Sequence, residues 1–366
     1  MDIKKIEDWG LGLTTPLWIA GPCSAESKDQ IESITNGLVG SGVQMFRAGI
    51  WKPRTRPNAF EGVGEEGLKW LEIPKNTLKV PVCVEVANAK HTEAALKAGV
   101  DVLWLGARTT VNPFSVQEVC DAVKGTDIPV MVKNPINPDQ QLWIGAIERL
   151  LKVGINKIAG IHRGCSDNVP SRFRNNPEWS MPILLKREFP TLSVISDPSH
   201  ICGNRDMIEE IGQIALNFGL DGLMIETHND PDNAWSDAKQ QITPEHLKSI
   251  IDNFQIRHSI DETPELKSEM DEHRQIIDVL DKQLVEILSQ RFKAIREVGE
   301  YKKEHNLSVF QRDRWNEVIN TRITMAKERG VSEEFMRKLL MDIHDESIKL
   351  QEESMHSQKE ENIKNG

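Results

Sequence analysis

Apolar residues in the first two thirds of the chain gather in short runs at 17–20, 44–47, 81–86, 102–106, 129–132, 157–161, 192–195 and 222–225. Each run is bounded by turn formers and polar residues, the pattern of a buried strand. Amphipathic stretches with helical spacing lie between them, among them 91–98, 115–124, 142–153 and 207–218. Thr243 and Pro244 take the N-cap and N1 places of a last one. Strands alternating with helices build a parallel sheet. Eight strands within the first 257 residues predict an α/β fold, a (β/α)8 TIM barrel. An open doubly wound sheet is the competing architecture, but no Gly-x-Gly-x-x-Gly turn follows the first strand.

The pattern changes after residue 257. Ile277, Leu280, Leu284, Leu288, Ile295 and Val298 recur at helical spacing within one long helix predicted over 267–304. A second helix is predicted over 312–328 and a third over 332–353, with Ser332 as its N-cap. Composition marks the same break: only Gly299, Gly330 and Gly366 of 24 Gly, and only Pro264 of 18 Pro, lie beyond it. The expected organisation is a barrel over 1–257, a linker over 258–268, a small all-α domain over 269–355 and a polar tail over 356–366. So small a core gains from a homodimer that buries the long first helix. Periodicity alone equally fits a coiled-coil oligomerisation tail.

Charge and cysteine usage narrow the function classes. The 366 residues carry a net charge of −11, which argues against nucleic acid as a partner. No apolar run reaches the about 18 residues of a membrane span, and no signal-peptide core precedes the first acids. The five cysteines at 23, 83, 120, 165 and 202 are far apart and odd in number, as expected of a reduced cytoplasmic protein.

Chemistry in such a barrel collects where strands end. Just past the runs stand Cys23, Arg47, Glu85, Arg108, Lys133, His162 with Arg163, Asp197 with His200, and Glu226 with His228. Arg47, Lys52, Arg54, Arg108, Lys133 and Arg163 are cations suited to phosphates and carboxylates, although some could pair with acids such as Glu85. Cys23, His200, Glu226 and Asp237 form a borderline-soft donor set for a divalent ion such as Mn, Co, Fe or Zn. Taken singly, Cys23 is more often a buried small residue and His200 a hydrogen-bonded loop histidine.

In chain order, Ala20-Gly21-Pro22-Cys23-Ser24, Arg47 followed by Lys52-Pro53-Arg54-Thr55, Gly106-Ala107-Arg108, Lys133-Asn134, His162-Arg163-Gly164, Asp197-Pro198-Ser199-His200 and Glu226-Thr227-His228 resemble the 3-deoxy-D-arabino-heptulosonate 7-phosphate (DAHP) synthase family. The start of the chain close to its first strand resembles the compact branch of that family. The resemblance implies condensation of phosphoenolpyruvate with erythrose 4-phosphate, the first step of aromatic biosynthesis. It implies a divalent metal on Cys23, His200, Glu226 and Asp237, and phosphoenolpyruvate bound by Arg47, Lys52, Arg108, Lys133 and Arg163. Lys133 counts also as a catalytic group. Arg54 and Thr55 would meet the aldose phosphate, with Glu85, Gly106 and Ala107 lining the site. The sister family that makes an eight-carbon product shares Gly21-Pro22-Cys23 but lacks Lys-Pro-Arg-Thr.

The tail carries its own set. Arg274, Arg291, Lys302, Arg314, Ser347 and Gln351 match the spacing of the all-helical chorismate mutase family. That resemblance implies rearrangement of chorismate to prephenate. Arg274 and Arg291 would bind the carboxylates, Lys302 and Gln351 would face the ether oxygen, and Arg314 and Ser347 would complete the pocket. Trp315 stands where the family often has Glu, and Gln311 where Asp is common. The expectation is therefore a bifunctional shikimate-pathway enzyme, homodimeric through its helical domain and inhibited by prephenate through that domain. Two competing expectations are an active barrel with a non-catalytic regulatory tail, and a barrel that only binds sugar phosphates.

Overall fold

The computed structural model describes residues 2–52, 60–166, 171–257, 264–309 and 312–356, without the side chains of 264–269, 272, 312–314 and 356. The chain divides into two compact units, Met1–Arg257 and His258–Gly366.

In the first unit eight parallel strands close into a barrel in chain order. They are β1 (Leu17–Gly21), β2 (Met45–Ala48), β3 (Val82–Val86), β4 (Val102–Leu105), β5 (Val130–Lys133), β6 (Ile158–His162), β7 (Ser193–Ser196) and β8 (Gly222–Glu226). β1 closes the ring on β8, with Leu17 opposite Gly222 and Gly21 opposite Glu226. Helices cover the outside: α1 (Lys28–Gly37), α2 (Glu65–Trp70), α3 (Glu72–Leu78), α4 (Ala89–Lys97), α5 (Ala107–Thr110), α6 (Pro113–Val123), α7 (Gln140–Lys152), α8 (Ser180–Glu188), α9 (Pro198–Cys202), α10 (Ile208–Asn217) and α11 (Pro244–Asn253). Several start where a side chain takes up an orphan backbone donor: Ser27, Asn88, Asn112, Asp139 and Thr243 each accept from an N–H two or three residues on.

Successive strand residues face opposite sides. Ile19, Met45, Cys83, Trp104, Met131, Ile161, Ile195 and Met224 fill the barrel interior, while Ala20, Phe46, Val84, Leu103, Val130 and Val132 pack outward with the helices. A 3-10 turn at Ile6–Trp9 adds Ile6 and Trp9 to the interior cluster, and the Ile6 N–H donates to Ser193 Oγ at the start of β7. This turn plugs the end of the barrel where the strands begin.

The second unit holds three helices, α12 (Pro264–Glu304), α13 (Arg312–Glu328) and α14 (Glu333–His356). Ser332 caps α14 by accepting the Phe335 N–H at 3.1 Å. A Cβ at Gly299 would lie 3.0 Å from the Gln351 Cα, so glycine there lets α12 and α14 approach closely. The 41 residues of α12 span about 60 Å at about 1.5 Å per residue. Ile276, Ile277, Val279, Leu280, Leu284, Val285 and Ile287 on it are each more than half exposed. The helical stripe thus exists, but this chain leaves its N-terminal half uncovered. No helix among the described residues is long and apolar enough to cross a membrane.

Trp143 on α7 joins the two layers of the barrel wall: it is fully buried, and its Nε1–H donates to the Val132 carbonyl at 2.9 Å. Trp143→Ala should destabilise the barrel by about 3–5 kcal/mol, because the cavity cannot fully collapse between sheet and helix. Urea unfolding followed by far-ultraviolet circular dichroism measures it, and a loss under about 1 kcal/mol would count against that packing.

Candidate active sites

On six of the eight strands the inward side turns polar at its C-terminal end. Two residues beyond the interior Met45 comes Arg47; beyond Cys83, Glu85; beyond Met131, Lys133; beyond Ile161, Arg163; beyond Ile195, Asp197; beyond Met224, Glu226. The pleat therefore brings charged groups from six strands to one mouth. His162, one residue before Arg163, falls on the outer face, where its ring meets Trp179 and its Nε2 the Pro177 carbonyl. Burial pulls its pKa down to about 4, so it stays neutral.

Above these residues lies a cleft of about 350 Å³, reached by Lys52, Glu85, Arg108, Lys133, Arg163 and His200, with Gly106 and Ala107 on its wall. Arg47 is fully buried below it and donates to Glu226 Oε1 at 3.1 Å. Its Nε and Nη1 find no partner among the described residues. Lys133 Nζ lies 2.7 Å from Asp197 Oδ2. Asp197 also caps α9 through the His200 N–H and lies 2.8 Å from His200 Nδ1. Burial opposes the charge of Asp197, but His200 and Lys133 outweigh it and hold the carboxyl well below its ordinary pKa. Arg163 donates to Asn175 Oδ1 at 2.8 Å, and its backbone N–H is held by Asn134 Oδ1 at 2.7 Å. Burial brings its pKa down to about 10, still charged at neutral pH. Glu85 accepts from Trp104 Nε1 at 3.3 Å. A Cβ at Gly106 would collide with the Glu85 carboxylate, so glycine is what lets this acid reach the cleft wall.

Cys23, Glu226 and Asp237 bring their ligand atoms within 4.8 Å of one another. Cys23 Sγ lies 3.4 Å from Asp237 Oδ2, and Lys52 Nζ lies 3.0 Å from the same sulfur and 2.8 Å from the Cys23 carbonyl. His200 stands at the edge of the group, its Nε2 3.8 Å from Glu226 Oε1. Burial and the Glu226 charge push the Cys23 thiol up to about 12. Burial also keeps His200 below its ordinary pKa. A thiol and two carboxylates meeting at one point, with an imidazole at their edge, fit a divalent transition ion, with binding coupled to loss of the thiol proton. Arg54 and Thr55 lie outside the described residues.

In the helical unit, α12 and α14 bring four of the expected residues together. Arg291 donates to Ser347 Oγ at 2.8 Å, Lys302 to Gln351 Oε1 at 2.9 Å, and Gln351 Nε2 to the Ser347 carbonyl at 3.1 Å. Burial lowers the pKa of both Arg291 and Lys302. Trp315 stacks on His344, ring centroids 3.8 Å apart, one turn before Ser347. Arg274 is not in this group: it is exposed and pairs with Asp271 on its own helix at 3.0 Å. Arg314 is in α13, but its side chain is not described, and Gln311 lies outside the described residues.

Residues 5–258 match the model of the DAHP synthetase I family. The chain belongs to that family. Residues 273–352 match chorismate mutase type II. A phospho-2-dehydro-3-deoxyheptonate aldolase of Thermotoga maritima is 28% identical over 233 residues, covering 64% of this chain and 67% of the relative. A 2-dehydro-3-deoxyphosphooctonate aldolase of Geotalea daltonii is 28% identical over 257 residues, covering 64% and 89%. The crystal structure of the Thermotoga maritima DAHP synthase superposes with a TM-score of 0.59 at 28% identity, covering 64% of this chain and 67% of that one. The chain joins a DAHP synthase domain to a chorismate mutase domain, the two activities of a bifunctional shikimate-pathway enzyme.

The DAHP synthase cleft also holds groups that strand-end reading does not reach. Arg174 lines it from the loop after β6, 3.0 Å from Asp237 Oδ1 and 2.6 Å from Gln240 Oε1. Asn175 bridges Arg163 and the His200 carbonyl. Gln240 donates to Glu226 Oε2 at 2.6 Å, and Gln241 accepts the Cys23 N–H at 3.0 Å. All four come from loops, where no period announces a facing side chain.

Proposed function

We propose that the barrel cleft condenses phosphoenolpyruvate with erythrose 4-phosphate on a divalent metal held by Cys23, His200, Glu226 and Asp237. The observation that carries this reading is the meeting of a buried thiol and two carboxylates with a ring of Arg and Lys at one strand-end cleft. The metal, when bound, supplies Lewis-acid polarisation of the aldehyde oxygen. The rest falls to side chains. Arg47, Lys52, Arg108, Lys133 and Arg163 take the phosphate and carboxylate of phosphoenolpyruvate, offsetting its repulsion from a second phosphorylated anion and fixing the approach of enol carbon to aldehyde. Arg54 and Thr55 take the aldose phosphate. Glu85, Gly106 and Ala107 shape the wall.

The helical domain rearranges chorismate to prephenate. A Claisen rearrangement needs no nucleophile, so Arg291 anchors a carboxylate, and Lys302 with Gln351 stabilises charge on the ether oxygen. Arg314 and Ser347 complete the pocket. Arg274 lies 17 positions before Arg291, about 25 Å along one helix, too far to touch the same small substrate. It serves the site of a second copy, and the exposed apolar stripe of α12 supports a homodimer through this domain. Prephenate bound there also inhibits the barrel reaction; of the expected hinge 258–268 between domains 1–257 and 269–355, residues 264–268 belong to α12, which leaves 258–263 to join the two. The competing reading, a regulatory tail without turnover, draws on Trp315 at a usual Glu position; the assembled Arg291, Lys302, Ser347 and Gln351 favour catalysis.

Purified full-length chain should consume phosphoenolpyruvate with the four-carbon aldose phosphate and not the five-carbon one, and should convert chorismate. Cys23→Ser should lose metal and nearly all condensation while keeping the mutase reaction; full condensation with normal metal content would remove Cys23 from the site. Mixing inactive Arg274→Ala and Arg291→Ala chains should restore about one intact mutase site per heterodimer. No recovery after verified subunit exchange would count against shared sites. Prephenate should inhibit condensation in the wild type but only weakly in Arg291→Ala, and undiminished inhibition in that variant would place the effector elsewhere.

A further inference from the structure

Gln240 and Gln241 sit side by side in the short turn that follows Asp237, and both are buried. Their amides contact two of the three groups at the candidate metal point. Gln240 Nε2 lies 2.6 Å from Glu226 Oε2 and its Oε1 lies 2.6 Å from Arg174 Nη1. Chemistry fixes that orientation: a guanidinium only donates and a carboxylate only accepts, so a flipped amide would break both bonds. Gln241 Oε1 accepts the Cys23 N–H at 3.0 Å, while its Nε2 donates to the Ser236 carbonyl at 2.8 Å. The turn also begins at a forced place, since Asp237 has a positive φ of 48°.

Resting on the metal-dependent reading of the cleft, we propose that the turn from Asp237 to Gln241 is a clamp that sets the metal donors before the ion arrives, with Gln240 as its main positioning residue. Glu226 gives one oxygen to Arg47 and the other to Gln240. Each oxygen keeps a further lone pair, and the carboxylate plane is fixed by partners on both sides. Arg174 extends the clamp, because the same Nη1 lies against both Asp237 Oδ1 and Gln240 Oε1. One side chain thereby links the environments of two acidic donors. Partners of this kind, which touch the ligand and not the ion, commonly govern metal affinity by about 10–100-fold.

The test uses full-length chain stripped of metal and titrated with cobalt(II) in competition with a coloured chelator. Gln240→Met keeps the length of the side chain but removes both hydrogen bonds. Gln240→Glu keeps its shape and turns an acceptor toward Glu226. Both should bind cobalt about 10–100-fold more weakly than wild type. Their thiolate-to-cobalt absorption should shift, while the metal-free melting temperature stays close to wild type. Should Gln240→Met fail to fold, Gln240→Glu carries the same comparison. Wild-type cobalt affinity in the folded variants overturns the clamp, as does a loss that appears only together with a lowered metal-free melting temperature. Cys23→Ser separates the two claims: if it loses cobalt while the Gln240 variants retain it, the clamp fails and the metal site stands. If Cys23→Ser itself retains wild-type affinity, the metal reading fails and the clamp falls with it.

Discussion

A barrel of eight strands has to fill its own interior, and the two-residue pleat decides what happens where the filling stops. Met45, Cys83, Met131, Ile161, Ile195 and Met224 lie in the interior cluster. The next inward position on each of those strands carries Arg47, Glu85, Lys133, Arg163, Asp197 or Glu226. A shift of one residue in any strand would send the charge into the helix layer and an apolar residue into the mouth. The register that packs the core is therefore the register that assembles the cleft. His162 marks the boundary of the rule, since one step before Arg163 it meets Trp179 on the outside and stays neutral.

Bringing that many charges under one rim is costly unless they pair. The buried pairs among the strand-end residues described include Arg47 with Glu226 and Lys133 with Asp197. They do not exhaust the positive charge: among the described residues Arg163 is held by amide and carbonyl oxygens, and Arg47 keeps two nitrogens without partners. Hydrogen-bonding a guanidinium to neutral acceptors orients it without neutralising it. The cleft is thus preorganised for an anion with more than one charged group, and in a low-dielectric site such fixed charges act strongly on a reacting anion.

What could be read in the sequence follows from what has a period. The strands fall within a residue of their expected places because apolar runs and turn formers bound them, and the long helices within three residues of theirs because their stripes recur. Cys23 and Glu226 could be named because they stand in motifs resembling one family, and Asp237 because that resemblance implies it in the same donor set; the structure brings the three together. Arg174, Asn175, Gln240 and Gln241 could not, because they reach the cleft along loops whose path depends on tertiary contacts. Gly203 shows the kind of constraint involved: its φ is +64° and a Cβ there would collide with the Arg174 side chain, so the loop route of Arg174 depends on a glycine 29 positions away. On the helical side, periodicity located the stripe of α12 but does not say what covers Ile277, Leu280 and Leu284, which this chain leaves exposed.

The two domains solve opposite problems. The barrel brings three candidate metal donors and most of its cleft cations together within one chain. Three helices have too little interior to cover a 41-residue α12, and its apolar N-terminal half is exposed. On the proposed reading, a mutase site that borrows Arg274 from another chain exists only in the associated form. A ligand of that site then favours association by mass action, by RT ln(1 + [L]/Kd) for each site filled. The same ligand can act on the barrel only through a difference in affinity between two arrangements of the chain. On the same reading, a rearrangement that needs no nucleophile makes such a site well suited to sensing. Chorismate and prephenate are isomers with the same two carboxylates, and the groups that hold one hold the other.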